Sequence, residues 1–217
     1  MYKRQVNLYV SNQTSCTIGG RDVRISIASG YPFDSAVKVA VESTSNDPFT
    51  LALHVPKWTT LKKLIVGGEE IKGTVIEKGY LKLHRSWEGR TEILLELEMP
   101  ARLIYANPRV RADVGRTAVV KGPVVYCLEE ADNGKNLPTV EIPADAVLEE
   151  VYEEGLLGGT MTIRTKGTKL DTEAWGRELY QEKRPERIPV ELKFIPYCLW
   201  DNRGEGEMTV WVRYKDE

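Results

Sequence analysis

Apolar residues recur at every second position through much of the chain, the period of a strand that shows one face to a core. Val6, Leu8 and Val10 alternate in this way, as do Val23, Ile25 and Ile27, then Val37, Val39 and Val41, then Leu51, Leu53 and Val55. Gly19-Gly20, Ser29-Gly30 with Pro32, and Asn46-Asp47-Pro48 punctuate these runs as turns. Leu64 and Val66 lead into Gly67-Gly68, a hairpin tip, because glycine supplies the positive φ angles of tight primed turns. Leu81 and Leu83, then Ile93, Leu95, Leu97 and Met99, carry the pattern to Pro100. Short strands at this spacing predict an antiparallel β-sandwich over residues 6–103.

Residues 115–129, GRTAVVKGPVVYCLE, mark the passage from one folded unit to the next. Ala118, Val120, Val124, Tyr126 and Leu128 alternate, while Lys121-Gly122-Pro123 interrupts them with a residue that cannot donate to a sheet ladder. The segment therefore reads as two short strands around a bulge or corner. Before it, Asn107-Pro108 and residues 109–115 form a connector with one helical turn closed by Gly115. Beyond it come a polar loop region over residues 132–143, the alternating Met161, Ile163 and Thr165, and a short helix over residues 172–181 that Gly176 weakens. Val190, Leu192 and Phe194, then Met208, Val210, Val212 and Tyr214, are the clearest strands of this half. The fold class expected is all-β, two tandem antiparallel β-sandwich domains over residues 6–103 and 104–217.

A length of 217 residues fits one to two domains, and 41% hydrophobic content suffices for packed cores. A net charge of -2 and a pI near 5.9 give no electrostatic reason to expect nucleic acid or an anionic membrane as partner. No apolar run approaches the roughly 18 residues that would span a bilayer. The short basic lead, Met1 to Gln5, resembles the arbitrary start of a truncated reading frame, which leaves the compartment open with a slight lean to the cytoplasm. Cys16, Cys127 and Cys198 are distant and odd in number, so they read as packed free thiols rather than a zinc site or a disulfide scaffold.

Candidate chemistry is sparse. His54 and His84 fall out of phase with the apolar residues of their strands, and no G-x-S-x-G turn offers a nucleophile. The loop Asp201-Asn202-Arg203-Gly204-Glu205-Gly206-Glu207 could be weighed as a carboxylate pair or calcium loop. Arg203, however, puts a cation where a second oxygen ligand should stand. A glycine-containing hairpin loop in which Asp201 and Arg203 pair locally or hydrogen-bond to the turn is the favoured reading. Trp58, Trp87, Trp175, Trp200 and Trp211, with Tyr31, Tyr80 and Tyr197, could stack on sugar rings, although such rings mostly stabilise by burying area. Trp211 lies opposite Val210 and Val212, which makes it the first candidate for an exposed platform or an inter-domain contact.

Several stretches resemble one family in its own order: residues 7–10 (NLYV), 31–33 (YPF), 51–58 (LALHVPKW), 79–81 (GYL), 85–87 (RSW), 115–129, 196–197 (PY) and 200–211 (WDNRGEGEMTVW). The chain is similar to the region that follows the catalytic barrel in glycoside hydrolase family 127, also called DUF1680, best known for β-L-arabinofuranosidase activity. The resemblance implies an (α/α)6 catalytic barrel upstream, with a cysteine nucleophile beside zinc and a glutamate acid/base. It also implies that the family's adjacent cysteines lie before the segment matching residues 6–10. This chain has no Cys-Cys pair, so no catalytic, cofactor-binding or metal-binding residue is expected in it, and Cys127 matches a structural position. The expected role is non-catalytic: to brace the missing barrel, with a homodimer or carbohydrate as further partners. The alternative is an autonomous carbohydrate-binding module, which exposed coplanar aromatics on one face would favour.

Overall fold

The computed structural model describes residues 5–216. The chain divides into two compact units between Met99 and Pro100. Residues 101–103, expected in the first unit, belong to the second because Ala101–Tyr105 pairs along its whole length with Arg116–Lys121.

The first unit contains β1 (Gln5–Val6), β2 (Asn12–Ile18), β3 (Arg21–Ser29), β4 (Ala36–Ser43), β5 (Phe49–His54), β6 (Leu61–Val66), β7 (Glu69–Glu70), β8 (Ile76–Glu77), β9 (Tyr80–Arg85) and β10 (Gly89–Leu97). They form a four-stranded sheet in the order β1-β5-β9-β8 and a six-stranded sheet in the order β2-β3-β4-β10-β6-β7. All pairings are antiparallel except β1 with β5. Each strand buries alternate residues, so the inner faces meet in one core. Val23, Ile25, Ile27, Val37, Val39, Val41, Ile93 and Leu95 come from the larger sheet, and Phe49, Leu51, Leu53 and Leu81 from the smaller. Gly67 and Gly68, with φ of 61° and 87°, make the expected hairpin tip, which sets Val66 opposite Glu69. The strand β2 carries no alternation in sequence, because its residues up to Thr17 are polar or half-buried; pairing with β3 holds it in place.

The second unit contains β11 (Ala101–Tyr105), β12 (Arg116–Lys121), β13 (Val124–Glu129), β14 (Glu141–Pro143), β15 (Glu149–Glu153), β16 (Thr160–Leu170), β17 (Arg187–Pro196), β18 (Met208–Thr209) and β19 (Trp211–Lys215). Its sheet runs β12-β19-β14-β16-β17-β13, and β13 pairs back onto β12 through Val120 opposite Val125 and Lys121 opposite Val124. The sandwich-like unit is thus a closed barrel of six strands, with β11, β15 and β18 added at its margins. One of its pairings, β14 with β19, is parallel.

The corner expected at Gly122-Pro123 is a two-residue hairpin, and this changes which residues face inward. Because Lys121 stands opposite Val124, Val119 rather than Ala118 or Val120 shares the face of Tyr126 and Leu128. Val119 joins the core with Leu137, Ile142, Ile163, Leu192, Phe194 and Val212. Ala118 and Val120 are buried as well. Gly167, in the middle of β16, faces the inward Leu192. A Cβ there would meet the Leu192 side chain at 2.7 Å and the Glu141 carbonyl at 2.8 Å, so the close approach of neighbouring strands requires glycine.

Two local expectations are corrected. Residues 172–181 form no helix: Asp171 accepts backbone N–H bonds from Glu173 and Ala174, and Gly176 adopts φ of 82°, so the segment is a chain of turns. The polar region after β13 holds a helical turn, Glu130–Asn133, a 3-10 turn, Leu137–Thr139, and the strand β14. The connector's helical turn is a 3-10 turn at Arg111–Asp113, followed by Gly115 with φ of 71°.

Trp87 plugs the first unit. Its ring is fully buried against Phe49, with centroids 5.6 Å apart, and its indole N–H donates to the Phe49 carbonyl at 3.0 Å. Trp87→Ala removes this packing and leaves the Phe49 carbonyl without its partner, so the expected cost is about 4 kcal/mol. Chemical denaturation of parent and variant chain checks this, and a loss below about 1 kcal/mol would show the ring to be peripheral.

Candidate functional site

The two histidines do not converge on any nucleophile. His84 is exposed on β9 and its Nδ1 lies 2.9 Å from the Thr50 hydroxyl across the β5–β9 pair. His54, five residues along on β5 from Phe49, sets its ring tilted at 46° to that of Tyr80 with centroids 5.3 Å apart, and its carbonyl accepts the Tyr9 hydroxyl at 2.6 Å. Cys16 is half-buried, Cys198 exposed, and Cys127 buried. Burial, aided by the Glu129 charge, pushes the Cys127 thiol up to about 12, the direction of an inert rather than a nucleophilic cysteine. Among the described residues, no group of three or more His, Cys, Asp or Glu side chains could hold a metal ion.

The densest chemistry lies in the second unit, around Arg203. Asp201 and Arg203 do not pair with each other as expected. Asp201 adopts φ of 64° and donates its backbone N–H to Glu129 Oε1 at 3.0 Å. Arg203 reaches back more than seventy residues to Glu129, with its Nε 3.0 Å from Oε2, and also hydrogen-bonds Asp132 on the helical turn. Lys193 on β17 completes the group, 2.6 Å from Asp132 and 3.4 Å from Glu153, and Glu153 in turn meets Arg164 at 3.0 Å. Glu207 caps the same loop by accepting the backbone N–H groups of Asn136 at 3.0 Å and Leu137 at 2.8 Å.

The electrostatics of this cluster follow from its burial. Desolvation works to raise the Asp132 carboxyl, but hydrogen bonds from Arg203 and Lys193 outweigh it and hold the group below its ordinary value. The Asp132 bond raises the Arg203 guanidinium, against the opposing effect of burial. Glu207 is held low first by the Asn136 N–H and then by that of Leu137. Glu129, Asp132, Glu153 and Glu207 are each matched by a cation or by backbone donors, so the arrangement fastens a loop. Glu129 and Asp132 were not visible in the sequence as partners of Arg203. The one available signal was a glutamate ending the apolar run VYCLE, where all four residues from Tyr126 to Glu129 are buried.

The tryptophans separate by environment. Trp58 packs against the first core, and Trp175 donates its indole N–H to the Glu178 carbonyl at 2.7 Å within its own turn. Trp211, proposed above as an exposed platform, is half-buried on β19 opposite Ala118. Tyr197 and Trp200 are the aromatic pair that stays open, 45% and 38% exposed, with rings 14° from parallel and centroids 6.1 Å apart. Trp200 also lines a depression of about 230 Å³ with Glu130, Arg203 and Glu205.

This fold and arrangement match known proteins over nearly the whole chain. Residues 4–99 match the model of the β-L-arabinofuranosidase GH127 middle domain, and residues 101–213 match that of the glycoside hydrolase family 127 C-terminal domain. The chain belongs to glycoside hydrolase family 127. The non-reducing end β-L-arabinofuranosidase of Bifidobacterium longum is 32% identical over 196 residues, which is 85% of this chain and 29% of that protein. The crystal structure of a GH127 β-L-arabinofuranosidase from Geobacillus stearothermophilus T6 superposes with a TM-score of 0.89 at 41% identity, covering 97% of this chain and 33% of that one. A further GH127 β-arabinofuranosidase structure gives 0.82 at 28% identity, covering 97% and 34%. The GH127 chain thus spans about a third of the length of these relatives.

Arg203→Met leaves the buried Glu129 carboxylate without its cation and Asp132 with Lys193 alone, so the second unit is expected to lose about 3 kcal/mol at neutral pH. The acid dependence should also weaken. In the parent, Asp132 titrates below its unfolded value of 3.8, so its contribution is present above that pH and is lost as pH falls through the lowered folded value. In the variant only Lys193 remains to hold Asp132 low, so its folded value moves back toward the unfolded one and less stability is lost as pH falls. Denaturation midpoints of both proteins across the acid range check this; parallel pH profiles would show that Arg203 does not hold these acids.

Proposed function

We propose that this chain supplies the non-catalytic middle and C-terminal β-domains of a β-L-arabinofuranosidase-like hydrolase and braces the (α/α)6 catalytic barrel that its family resemblance implies. The observation that carries this reading is coverage: 97% of the chain is accounted for by a third of the Geobacillus enzyme, within matches to a middle and a C-terminal domain. The chemistry agrees. Hydrolysis of a glycoside needs a nucleophile and an acid/base facing one cleft. Here the His54 ring lies beside Tyr80 and the His84 ring against the Thr50 hydroxyl, Cys127 is buried, and Glu129 and Asp132 are paired with Arg203. Zinc, in this reading, belongs to the barrel and not to these domains.

Purified chain is expected to release no aryl alcohol from an aryl β-L-arabinofuranoside, with or without zinc. Zinc-dependent turnover that disappears when Cys16, Cys127 and Cys198 are all replaced would overturn the reading and place a site within these two units.

A second reading, a carbohydrate-binding surface, is favoured by the open, near-parallel rings of Tyr197 and Trp200. On that reading arabinan retards the chain in affinity electrophoresis and Trp200→Ala abolishes the retardation. Equal mobility with and without arabinan would exclude it.

A further inference from the structure

We propose that Leu8, Val10 and Phe33 form the seat on the first unit for the catalytic domain of the same polypeptide. This inference rests on the bracing reading and names the surface that performs it.

Leu8 is 71%, Val10 61% and Phe33 47% exposed, yet each sits on backbone that is firmly pinned. Tyr9, between Leu8 and Val10, is buried and donates its hydroxyl to the His54 carbonyl. Ser11 donates to the Ser29 carbonyl at 2.9 Å and accepts the Ser29 N–H at 3.0 Å, so residues 7–11 run beside residues 29–33. The Tyr9 and Tyr31 rings meet edge to face at 5.9 Å, and the Tyr31 N–H donates to the Ser29 hydroxyl. The Phe33 and Asp34 N–H groups both donate to the Gly30 carbonyl, which fixes the turn that presents the Phe33 ring. Two anchored segments therefore hold three large apolar side chains outward, a preorganised surface that loses little conformational entropy on being covered.

The surroundings point the same way. In a chain where 29% of residues are charged, residues 5–18 contain no Asp, Glu, Lys or Arg. That stretch includes β2, the outermost strand of the six-stranded sheet, whose unpaired backbone groups would otherwise be protected by charge or proline. A surface meant for water carries charge at about the average density, whereas one meant for a permanent neighbour sheds it.

The committed occupant is the catalytic domain in cis because of where the seat lies. A middle domain receives its predecessor's chain at its first residues, and here the seat begins three residues beyond Gln5. The matched middle domain starts at residue 4, so a domain joined ahead of it is tethered within a few residues of Leu8, and so short a tether gives an effective concentration of about millimolar or higher. A seat of this kind needs little intrinsic affinity to remain occupied.

The test grafts this chain in place of the matching third of the Geobacillus enzyme and compares it with the same graft carrying Leu8→Lys, Val10→Lys and Phe33→Asp. The parent graft should hydrolyse an aryl β-L-arabinofuranoside and melt above the catalytic portion produced alone. The altered graft should lose activity by about tenfold or more, with a lower melting temperature. The isolated 217-residue chain with the same three changes should melt within about 2 °C of its parent, since the altered side chains lie on its surface. Should the triple variant fail to fold in isolation, Leu8→Ser alone serves the same comparison. An altered graft that keeps full activity and melting overturns the seat while leaving the bracing reading intact. A parent graft that adds nothing to the melting of the catalytic portion overturns the bracing reading and the seat together. Self-association of the isolated chain that the substitutions abolish would assign the surface to a second copy and also overturn the proposal.

Discussion

The constraint that organises both units is the sheet edge, where a strand has backbone donors and acceptors on one side and nothing of its own to pair them with. The second unit meets it by closure. Two residue pairs between β12 and β13 join the ends of the strand series, and the six central strands have no free side. The strands outside the ring are short or acidic, β15 being Glu-Glu-Val-Tyr-Glu. The first unit stays open and treats its edges unequally. One margin of the larger sheet is Glu69-Glu70, two exposed acids that discourage pairing; the other is the uncharged β2. That inequality separates a margin facing water from one that wants cover.

The Arg203 cluster meets a related demand in the second unit. The strand β13 is buried on both faces from Tyr126 to Glu129, so something must cover its outer side. The loop after β17 does so, held by Arg203 to Glu129 and Asp132 and by Glu207 to the backbone of Asn136 and Leu137. Residues that look like a carboxylate site in sequence are, in three dimensions, the fastening of a flap.

Period-two alternation made the strands of the first unit legible, because a sheet with one buried face imposes that pattern on its sequence. It failed where the physics differs. The strand β2 is an edge with little burial and so shows no pattern, and β12 is buried on both faces, so Ala118, Val119 and Val120 all read as core. Closure of the barrel depends on how two residues, Gly122 and Pro123, set the register, and periodicity carried through the turn put Val119 on the wrong face. The scatter of the histidines and cysteines was legible, because residues without spaced companions in sequence rarely come together as a cluster. The partners of Arg203 were not, since a contact across seventy residues depends on tertiary placement that local pattern does not encode.

Closure also carries a consequence for the order in which the protein matures. The ring needs β19, at Trp211–Lys215, which pairs with β12 and β14 and is the last of its strands in chain order. During synthesis the first unit has all its strands once Leu97 has been made, whereas the second remains an open, apolar sheet until β19 has left the ribosome. Its non-local pairings make that step slow as well. A nascent chain interrupted between β17 and β19 would expose the unpaired sides of β12 and β14, which makes the emergence of β19 the step at which chaperone protection of the second unit matters most.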